Sequence, residues 1–244
     1  VCQLTRQHVT VALNGDGGDE LFAGYERYQA MLLAECFQRL PSLLKNAAGV
    51  FASLLPDSAD GKNRLRRLKR FLDAASMPAG QRYLRWIGIC DEPFRNRLYS
   101  DSFRSAVSSA APYQFIEPYL GKKSLSLLDS LLFTDTMVYL PFDLLVKVDI
   151  ASMANSLEAR SPFLDHTIVE FASRLPPEYK LRGTVKKYIL KKAITGFIPD
   201  ENIHRAKMGF GVPVGHWFRG ELKKFLTDTM LAPESIGRGY FKPE

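Results

Sequence analysis

The residues best suited to chemistry lie in one glycine- and acid-rich turn near the start of the chain. Asp16, Asp19 and Glu20 fall close together and are interleaved with three glycines. Glycines leave backbone N–H groups unshielded, and the N-terminus of a helix attracts anions such as phosphate. Three carboxylates would repel a bare phosphate, so the pattern favours an intervening divalent cation or a different substrate. A plain strand-to-helix turn with Asp19 as N-cap explains the pattern equally well.

A strand and a helix must flank this turn if it is to hold a ligand. Apolar residues alternate with smaller or polar ones over 9–13, which predicts a half-buried strand. Apolar residues at helical spacing predict one helix over 21–40, which Pro41 ends. We therefore expect a ligand cleft at the carboxyl end of the strand, where open α/β sheets bind ligands.

A second charged segment lies in apolar surroundings. Residues 126–139 have an apolar side at helical spacing, and Pro141 is expected to end that helix. Asp143, Lys147 and Asp149 then enclose a Leu-Leu-Val run, so we expect them to be buried and paired with one another or with a ligand. A structural ion network explains them as well as a functional site does, and Asp143 and Lys147 are secondary site candidates.

The segment that follows is expected to stabilise the fold beside the site. Residues 153–157 predict a helix, and Glu158 and Arg160 at its end are suited to form a charged pair. Asp165 is a good N-cap for the next apolar-faced helix.

Two later segments carry cations. Residues 186–194 predict a basic helix, whose lysines we interpret as a solvated face rather than a phosphate site. Residues 200–215 form a glycine-rich stretch with Lys207 beside two large apolar residues, a composition typical of a loop that closes over a ligand.

Composition excludes several classes of protein. The 244 residues carry 33 Lys and Arg against 26 Asp and Glu, a net charge of +7, which favours polyanionic partners without identifying one. The basic cluster over 62–70 has leucines at helical spacing, so an amphipathic helix is favoured over a nucleic-acid patch. Neither a membrane span nor a signal peptide is indicated, and a cytoplasmic location is expected. The three widely spaced cysteines suggest neither disulfides nor zinc.

Three separated blocks together resemble a known family. They read Asn-Gly-Asp-Gly-Gly-Asp-Glu-Leu-Phe-Ala-Gly-Tyr over 14–25, Leu-Pro-Phe-Asp-Leu-Leu-Val-Lys-Val-Asp over 140–149 with Ser-Leu-Glu-Ala-Arg-Ser-Pro-Phe-Leu-Asp over 156–165, and His-Arg-Ala-Lys-Met-Gly-Phe-Gly-Val-Pro over 204–213. In this order they are similar to the glutamine-hydrolysing asparagine synthetases, in which the first block is the second nucleotide-site loop. The resemblance covers most of the chain.

The resemblance implies a fold class and a domain organisation. Residues 1–244 would be the C-terminal fragment of one asparagine synthetase-like synthetase domain. The fragment would be mainly helical and would form the C-terminal portion of an α/β adenine-nucleotide α-hydrolase-like (ATP pyrophosphatase) domain, with one or two parallel strands. A glutaminase domain and the pyrophosphate-binding loop would lie upstream, and this fragment alone would be inactive.

The resemblance also implies a reaction, which is ATP-dependent amide formation on a carboxylate through an acyl-adenylate. The simplest acceptor is aspartate, the nitrogen would be ammonia from glutamine, and the cofactors would be ATP and Mg²⁺. Asp19 would hold Mg²⁺, Asp16 would face the acyl-adenylate, and Lys207 would stabilise developing charge. Asp16 is shorter by one methylene than the Glu often found there, which leaves room for another carboxylate, such as a sugar acid.

The nucleotide would be bound mainly by the start of the first block. Asn14, Gly15 and Gly17 are assigned to it, and Asn14 keeps a hydrogen-bonding side chain where the family usually has Ser. Of the secondary candidates, Lys147 is assigned to nucleotide binding and Asp143 to catalysis.

Two other classes of function are open on the sequence alone. A non-catalytic helical interaction module would suit the basic surface and would leave Asp16, Asp19 and Lys207 far apart. An ATP pyrophosphatase of tRNA modification would also suit that surface, but the 156–165 block favours the asparagine synthetase branch, for which no nucleic-acid or membrane partner is expected. The oligomeric state is open, a homodimer included.

Overall fold

The computed structural model describes residues 1–54, 64–88, 90–107, 112–205 and 212–242. The chain divides into two compact units, one formed by Val1–Trp86 with Tyr113–Ile203 and the other by Ile87–Pro112 with His204–Glu244. Helices dominate the described residues, as the sequence predicts. Within the described part of the chain, no helix is both long and apolar enough to cross a membrane.

The first unit contains both sheets and most of the helices. Its strands are β1 (Val11–Leu13), β2 (Glu158–Arg160), β3 (Leu181–Arg182) and β4 (Val185–Lys186). Its helices are α1 (Cys2–Arg6), α2 (Gly18–Leu21), α3 (Glu26–Gln38), α4 (Ser42–Leu54), α5 (Arg64–Ala75), α6 (Ala79–Ile87), α9 (Pro112–Leu120), α10 (Leu127–Thr134), a π-helix (Asp135–Leu145), α11 (Val146–Met153), a 3-10 turn (Pro162–Leu164), α12 (His166–Arg174), α13 (Pro177–Lys180), α14 (Tyr188–Ile194) and α15 (Asp200–His204).

The second unit is smaller. Its helices are α7 (Glu92–Leu98), α8 (Asp101–Val107), α16 (Val214–Trp217), α17 (Lys223–Met230) and α18 (Pro233–Gly237). An aromatic cluster joins its two chain segments, because Tyr99 forms a β-bridge with Phe241 and Phe103 packs 5.0 Å from Tyr240 between ring centroids.

The strand before the acidic turn has a parallel partner. Strand β1 pairs with β2, and Ala12 lies opposite Ala159. The prediction of a strand here is confirmed, although it covers only Val11–Leu13. Glu158–Arg160 were expected at the end of a helix, and that expectation is wrong, because α11 ends at Met153 and these residues form β2. The expected charged pair does form within β2, with Arg160 Nε 2.6 Å from Glu158 Oε1.

The helix predicted over 21–40 is interrupted. Helix α2 ends at Leu21, and α3 begins at Glu26. Ala23 between them has a positive φ of 56°, and the Phe22 carbonyl accepts a hydrogen bond from the Lys187 amide at 3.1 Å. A backbone contact from a distant segment therefore fixes the break, and the apolar periodicity continues across it.

Pro141 does not end the helix that precedes it, contrary to the prediction. Helix α10, the π-helix and α11 follow one another without a break from Leu127 to Met153, and Pro141 lies inside the π-helix. A proline lacks one backbone donor, and a π-helical stretch accommodates such an irregularity without ending the helix. This long helix carries Asp143 and Lys147.

Candidate functional site

The acidic turn is anchored to the parallel strand pair. The Asn14 amide donates to the Arg160 carbonyl at 2.8 Å, which continues the β1–β2 ladder by one residue. The Asn14 Oδ1 atom accepts from the Asp16 amide at 3.2 Å and from the Ser161 hydroxyl. The turn therefore begins at the carboxyl ends of both strands, where the sequence predicted a site.

Gly17 is required by the geometry of the turn. It is the N-cap of α2 and has a left-handed φ of 88°. A Cβ atom there would lie 2.3 Å from Leu164 Cδ2. Gly15 differs, because a Cβ atom there would meet nothing within 4 Å. Because Gly17 has no side chain, the loop can pack closely against the 3-10 turn that follows β2.

Asp16 lies in a partly desolvated position near Lys147. Burial raises the pKa of the Asp16 carboxyl, and the positive charge of Lys147 opposes that rise. The Asp16 Oδ2 and Asn14 Nδ2 atoms are buried and have no hydrogen-bond partner among the described residues. Buried polar atoms are normally paired, so an acceptor and a donor left unpaired in one turn are consistent with a polar ligand.

Asp19 lies one turn further on and faces Lys187, a cation that the sequence pattern does not single out. The Lys187 ammonium is 2.9 Å from Asp19 Oδ1, and both side chains are mostly buried. The lysines over 186–194 were interpreted as a solvated face, which is wrong for Lys187. The β3–β4 hairpin and the tight entry into α14 turn this lysine toward α2, and helical periodicity cannot indicate such a turn.

Asp143 and Lys147 are exposed, so the expectation of burial is wrong for both, as it is for Asp149. The Tyr139 hydroxyl, one helical turn earlier, hydrogen-bonds the Asp143 carboxylate. Lys147 acts on Asp16 through its charge. The structure therefore brings Lys147 to the acidic turn, whereas Asp143 interacts along its own helix.

Lys207 lies in 206–211, outside the described residues. Asp16 and Asp19 lie in one turn at the carboxyl end of β1, where Asp16 is near Lys147 and Asp19 contacts Lys187. The predicted convergence of both aspartates with Lys207 on one cleft stays a prediction.

An open groove of about 490 Å³ adjoins the turn. Asn14 and Ser161 line it at the strand ends, and Asp149, Ser152 and Met153 line it from α11. Polar and apolar residues line the groove in similar numbers, so it offers a small molecule both hydrogen-bonding groups and apolar surface.

A buried ionic cluster lies next to the acidic turn, and no sequence pattern predicts it. Asp135 is fully buried and accepts hydrogen bonds from the Tyr28 and Tyr83 hydroxyls. Its Oδ2 atom also accepts from Arg27, with Nη2 at 2.8 Å. The only local signal was an Arg beside two tyrosines, because Asp135 is more than 100 positions away in sequence.

The cluster continues into the acidic turn through Tyr25. The Tyr25 hydroxyl donates to the buried Glu20 carboxylate of α2, and the Arg27 guanidinium lies 3.8 Å from the centroid of the Tyr25 ring. Burial raises the pKa of Glu20, and the hydrogen bond from Tyr25 opposes the rise. Glu20 therefore fixes the turn to the scaffold. Asp19 pairs with Lys187, and Asp16 keeps one buried carboxylate oxygen without a partner among the described residues.

Comparisons with known proteins identify the family of the chain. The family model described as asparagine synthase matches residues 1–244. Asparagine synthetase (glutamine-hydrolyzing) 1 of Bacillus subtilis is 34% identical over 231 residues, which cover 93% of this chain and 34% of the relative. A putative glutamine-hydrolyzing asparagine synthetase of Mycobacterium bovis is 34% identical over 237 residues, covering 94% of this chain and 34% of the relative.

A more distant similarity links the chain to an amidase. Amidase chry2 of Gibberella zeae is 22% identical over 263 residues, covering 95% of this chain and 36% of the amidase. The chain thus spans about a third of the length of the curated relatives it matches. No solved structure matches it. Because the family model covers every residue, the chain belongs to the asparagine synthase family.

Proposed function

We propose that this chain is the C-terminal part of a synthetase domain that converts a carboxylate into an amide by way of an acyl-adenylate. The observation that carries the proposal is the turn at the carboxyl ends of β1 and β2, where Asn14 Nδ2 and Asp16 Oδ2 are buried without a partner among the described residues. Membership of the asparagine synthase family supports the reaction class. The domain would be an α/β ATP pyrophosphatase-like fold completed by upstream strands.

The roles of the residues follow from their surroundings. Asn14 has an unpaired amide N–H group that can donate to a nucleotide oxygen. Asp16 has a free carboxylate oxygen whose basicity is raised by burial, so it can orient or accept a proton from an incoming amine. Lys147 limits that rise, and Lys207 is proposed to stabilise the charge that develops on phosphate oxygens.

The residues at Asp19 fit a divalent cation. The Asp19 carboxylate already lies against an ammonium group, so the position suits a positive charge. No group of three or more acidic, His or Cys side chains suited to a metal occurs among the described residues. Mg²⁺ commonly binds one or two carboxylates together with substrate phosphates, so Asp19 would hold it jointly with ATP. When bound, Mg²⁺ offsets the repulsion between the acceptor carboxylate and the nucleotide.

The groove is the proposed place for the acceptor carboxylate. Asn14 and Ser161 lie at its strand end, and Ser152 offers a hydroxyl from α11. Aspartate is the proposed acceptor, because the relatives with the higher identity are named asparagine synthetases. A different carboxylate is the second candidate, because the chain also matches proteins named amidases over 95% of its length.

The nitrogen source and its donor are part of the proposal. The two bacterial relatives are named glutamine-hydrolyzing, and the chain covers 34% of each. We propose that a glutaminase domain in the intact protein supplies ammonia to this site.

The test is aspartate-dependent exchange of labelled pyrophosphate into ATP by the intact protein that carries these residues. Asp16→Asn and Asp19→Asn are compared with Asp228→Asn, which removes an exposed carboxylate on α17. Loss of a group that stabilises a transition state costs about 3 kcal/mol, or roughly a hundredfold in rate. We expect such losses for the two turn variants and none for the control. If another carboxylate supports exchange and aspartate does not, that carboxylate replaces aspartate as the proposed acceptor. If both turn variants exchange at the normal rate, the acidic turn has no part in the mechanism.

A further inference from the structure

We propose that Lys187 is a residue of the same site, where its ammonium occupies the cation position at Asp19 until a divalent cation displaces it. The identity of the cation rests on the proposed function. The salt bridge does not depend on the proposed function, because the structure places Lys187 Nζ 2.9 Å from Asp19 Oδ1. Lys187 would thus act as a resident counter-ion and as a second cation for phosphate once Asp19 binds metal.

Gly24 makes room for this lysine. A Cβ atom at Gly24 would lie 1.7 Å from Asp19 Oδ1 and 2.4 Å from Lys187 Cε. At Gly18, by contrast, a Cβ atom would lie 3.6 Å from Lys187 Nζ, which is an ordinary van der Waals contact. The lysine stem therefore runs through a channel that any side chain at position 24 would close.

The backbone holds Lys187 in an unusual conformation. Its φ is 53°, in the left-handed region, and it serves as N-cap of α14. Such a conformation is unfavourable for a residue with a side chain, and unfavourable conformations persist where the surroundings enforce them, often at functional sites. The Lys187 amide donates to the Phe22 carbonyl, which ties it to the segment between α2 and α3. Main-chain contacts thus help to place the ammonium against Asp19.

The position of the ammonium predicts two opposite effects. A divalent cation and Lys187 cannot both neutralise the same oxygen of Asp19 at close range, so the lysine competes with the metal. Once it leaves Asp19, the ammonium is an unpaired positive charge next to the acidic turn, so it can attract a phosphate group. Removing its charge should therefore strengthen metal binding and weaken pyrophosphate binding.

The experiment measures both affinities in the intact protein. Mn²⁺ binding is followed by electron paramagnetic resonance, and pyrophosphate binding by calorimetry. Lys187→Met removes the charge but keeps most of the stem in the glycine channel, and Lys187→Arg keeps the charge. Lys192→Ala is the matched control, because it removes a charge from an exposed position of the same helix. Near-ultraviolet circular dichroism verifies that each variant is folded.

We expect Lys187→Met to bind Mn²⁺ about two- to fivefold more tightly than the wild type, because a partly exposed ion pair contributes a free energy that corresponds to this range. The same variant should bind pyrophosphate more weakly than the wild type. Lys187→Arg and Lys192→Ala should stay close to wild type. Unchanged or weaker Mn²⁺ binding in folded Lys187→Met overturns the proposal, as does an equal gain in Lys192→Ala. The proposed function fails separately, if aspartate-dependent exchange is absent in the wild type. If neither wild type nor Lys187→Met binds Mn²⁺, the competition is overturned as well.

Discussion

The two ends of the long helix from Leu127 to Met153 have similar apolar sequences and opposite surroundings. At the first end, Leu128 and Leu131 are 3% and 0% exposed. At the second end, Phe142 and Ile150 are 66% and 65% exposed. Apolar residues at helical spacing therefore predict the helix and its apolar side, but they do not predict whether another element covers that side.

The polar residues of the helix differ in the same way. Asp135 is fully buried and is paired with Arg27 and two tyrosine hydroxyls. Asp149 is exposed and lines the groove. The first end of the helix is thus fixed by specific partners. The second end presents apolar and charged groups at the groove, where the acceptor carboxylate is proposed to bind.

The largest expected effect comes from the buried carboxylate. Asp135→Asn leaves the Arg27 guanidinium, 16% exposed, without its opposite charge. Removing one partner of a buried ion pair costs about 3–5 kcal/mol. Asp149→Asn at the exposed end should change the free energy of unfolding by about 0.5 kcal/mol or less. Urea denaturation of both variants, at unchanged m-value, measures the difference. Equal losses would show that the two ends are equally packed in solution.

The second prediction concerns the apolar residues of the same two ends. Leu131→Ala should lower the free energy of unfolding by about 2–5 kcal/mol, because it leaves a cavity in a fully buried position. Ile150→Ala should lower it by about 0.5 kcal/mol or less, because its side chain is 65% exposed. Thermal and urea unfolding of the two variants provide the measurement. A large loss for Ile150→Ala would mean that this face is covered in the protein as it exists in solution.

The third prediction separates the hydrogen bonds of the cluster from its charge pair. Tyr28→Phe removes one donor to the buried Asp135 carboxylate, and hydrogen bonds to charged groups contribute about 1.5–3 kcal/mol. Tyr139→Phe removes a donor to the exposed Asp143, so water can replace it and the loss should stay below about 1 kcal/mol. Denaturant unfolding compares the two, and similar losses would contradict the difference in solvation between the ends.

The sequence was sufficient for features that depend on local patterns. It predicted a mainly helical chain, a strand before the acidic turn, and Asp165 as an N-cap, whose carboxylate accepts from the Thr167 amide at 2.9 Å. It also placed Asp16 and Asp19 in one turn. Each of these features is determined by residues within a few positions of one another.

The sequence was insufficient wherever a distant segment decides the outcome. The break after Leu21 depends on Lys187, more than 160 positions away, and the pairing of β1 depends on Glu158–Arg160. The burial of Asp135 depends on tyrosines from α3 and α6. The burial of Asp143 was predicted wrongly for the same reason, since a Leu-Leu-Val run shows apolarity without showing what covers it.

The smallest expected effect distinguishes two tyrosine–carboxylate pairs by pH. Burial raises the pKa of Glu20 above its ordinary value of 4.5, whereas Asp143 at the other pair is exposed. A carboxyl whose folded pKa is raised binds its proton more tightly in the folded state. Its contribution to stability is therefore complete below the unfolded pKa and is lost as pH rises through the folded pKa.

Glu20→Gln should remove this loss. The amide is neutral at every pH and can still accept from the Tyr25 hydroxyl, so at pH 4 the variant should lie within about 1 kcal/mol of wild type. Between pH 4 and pH 8 the wild type should lose stability relative to Glu20→Gln, because only the wild type must hold an ionised carboxylate in a buried position. Urea unfolding across this pH range provides the measurement, and parallel curves for wild type and Glu20→Gln would show that burial of Glu20 does not raise its pKa in solution.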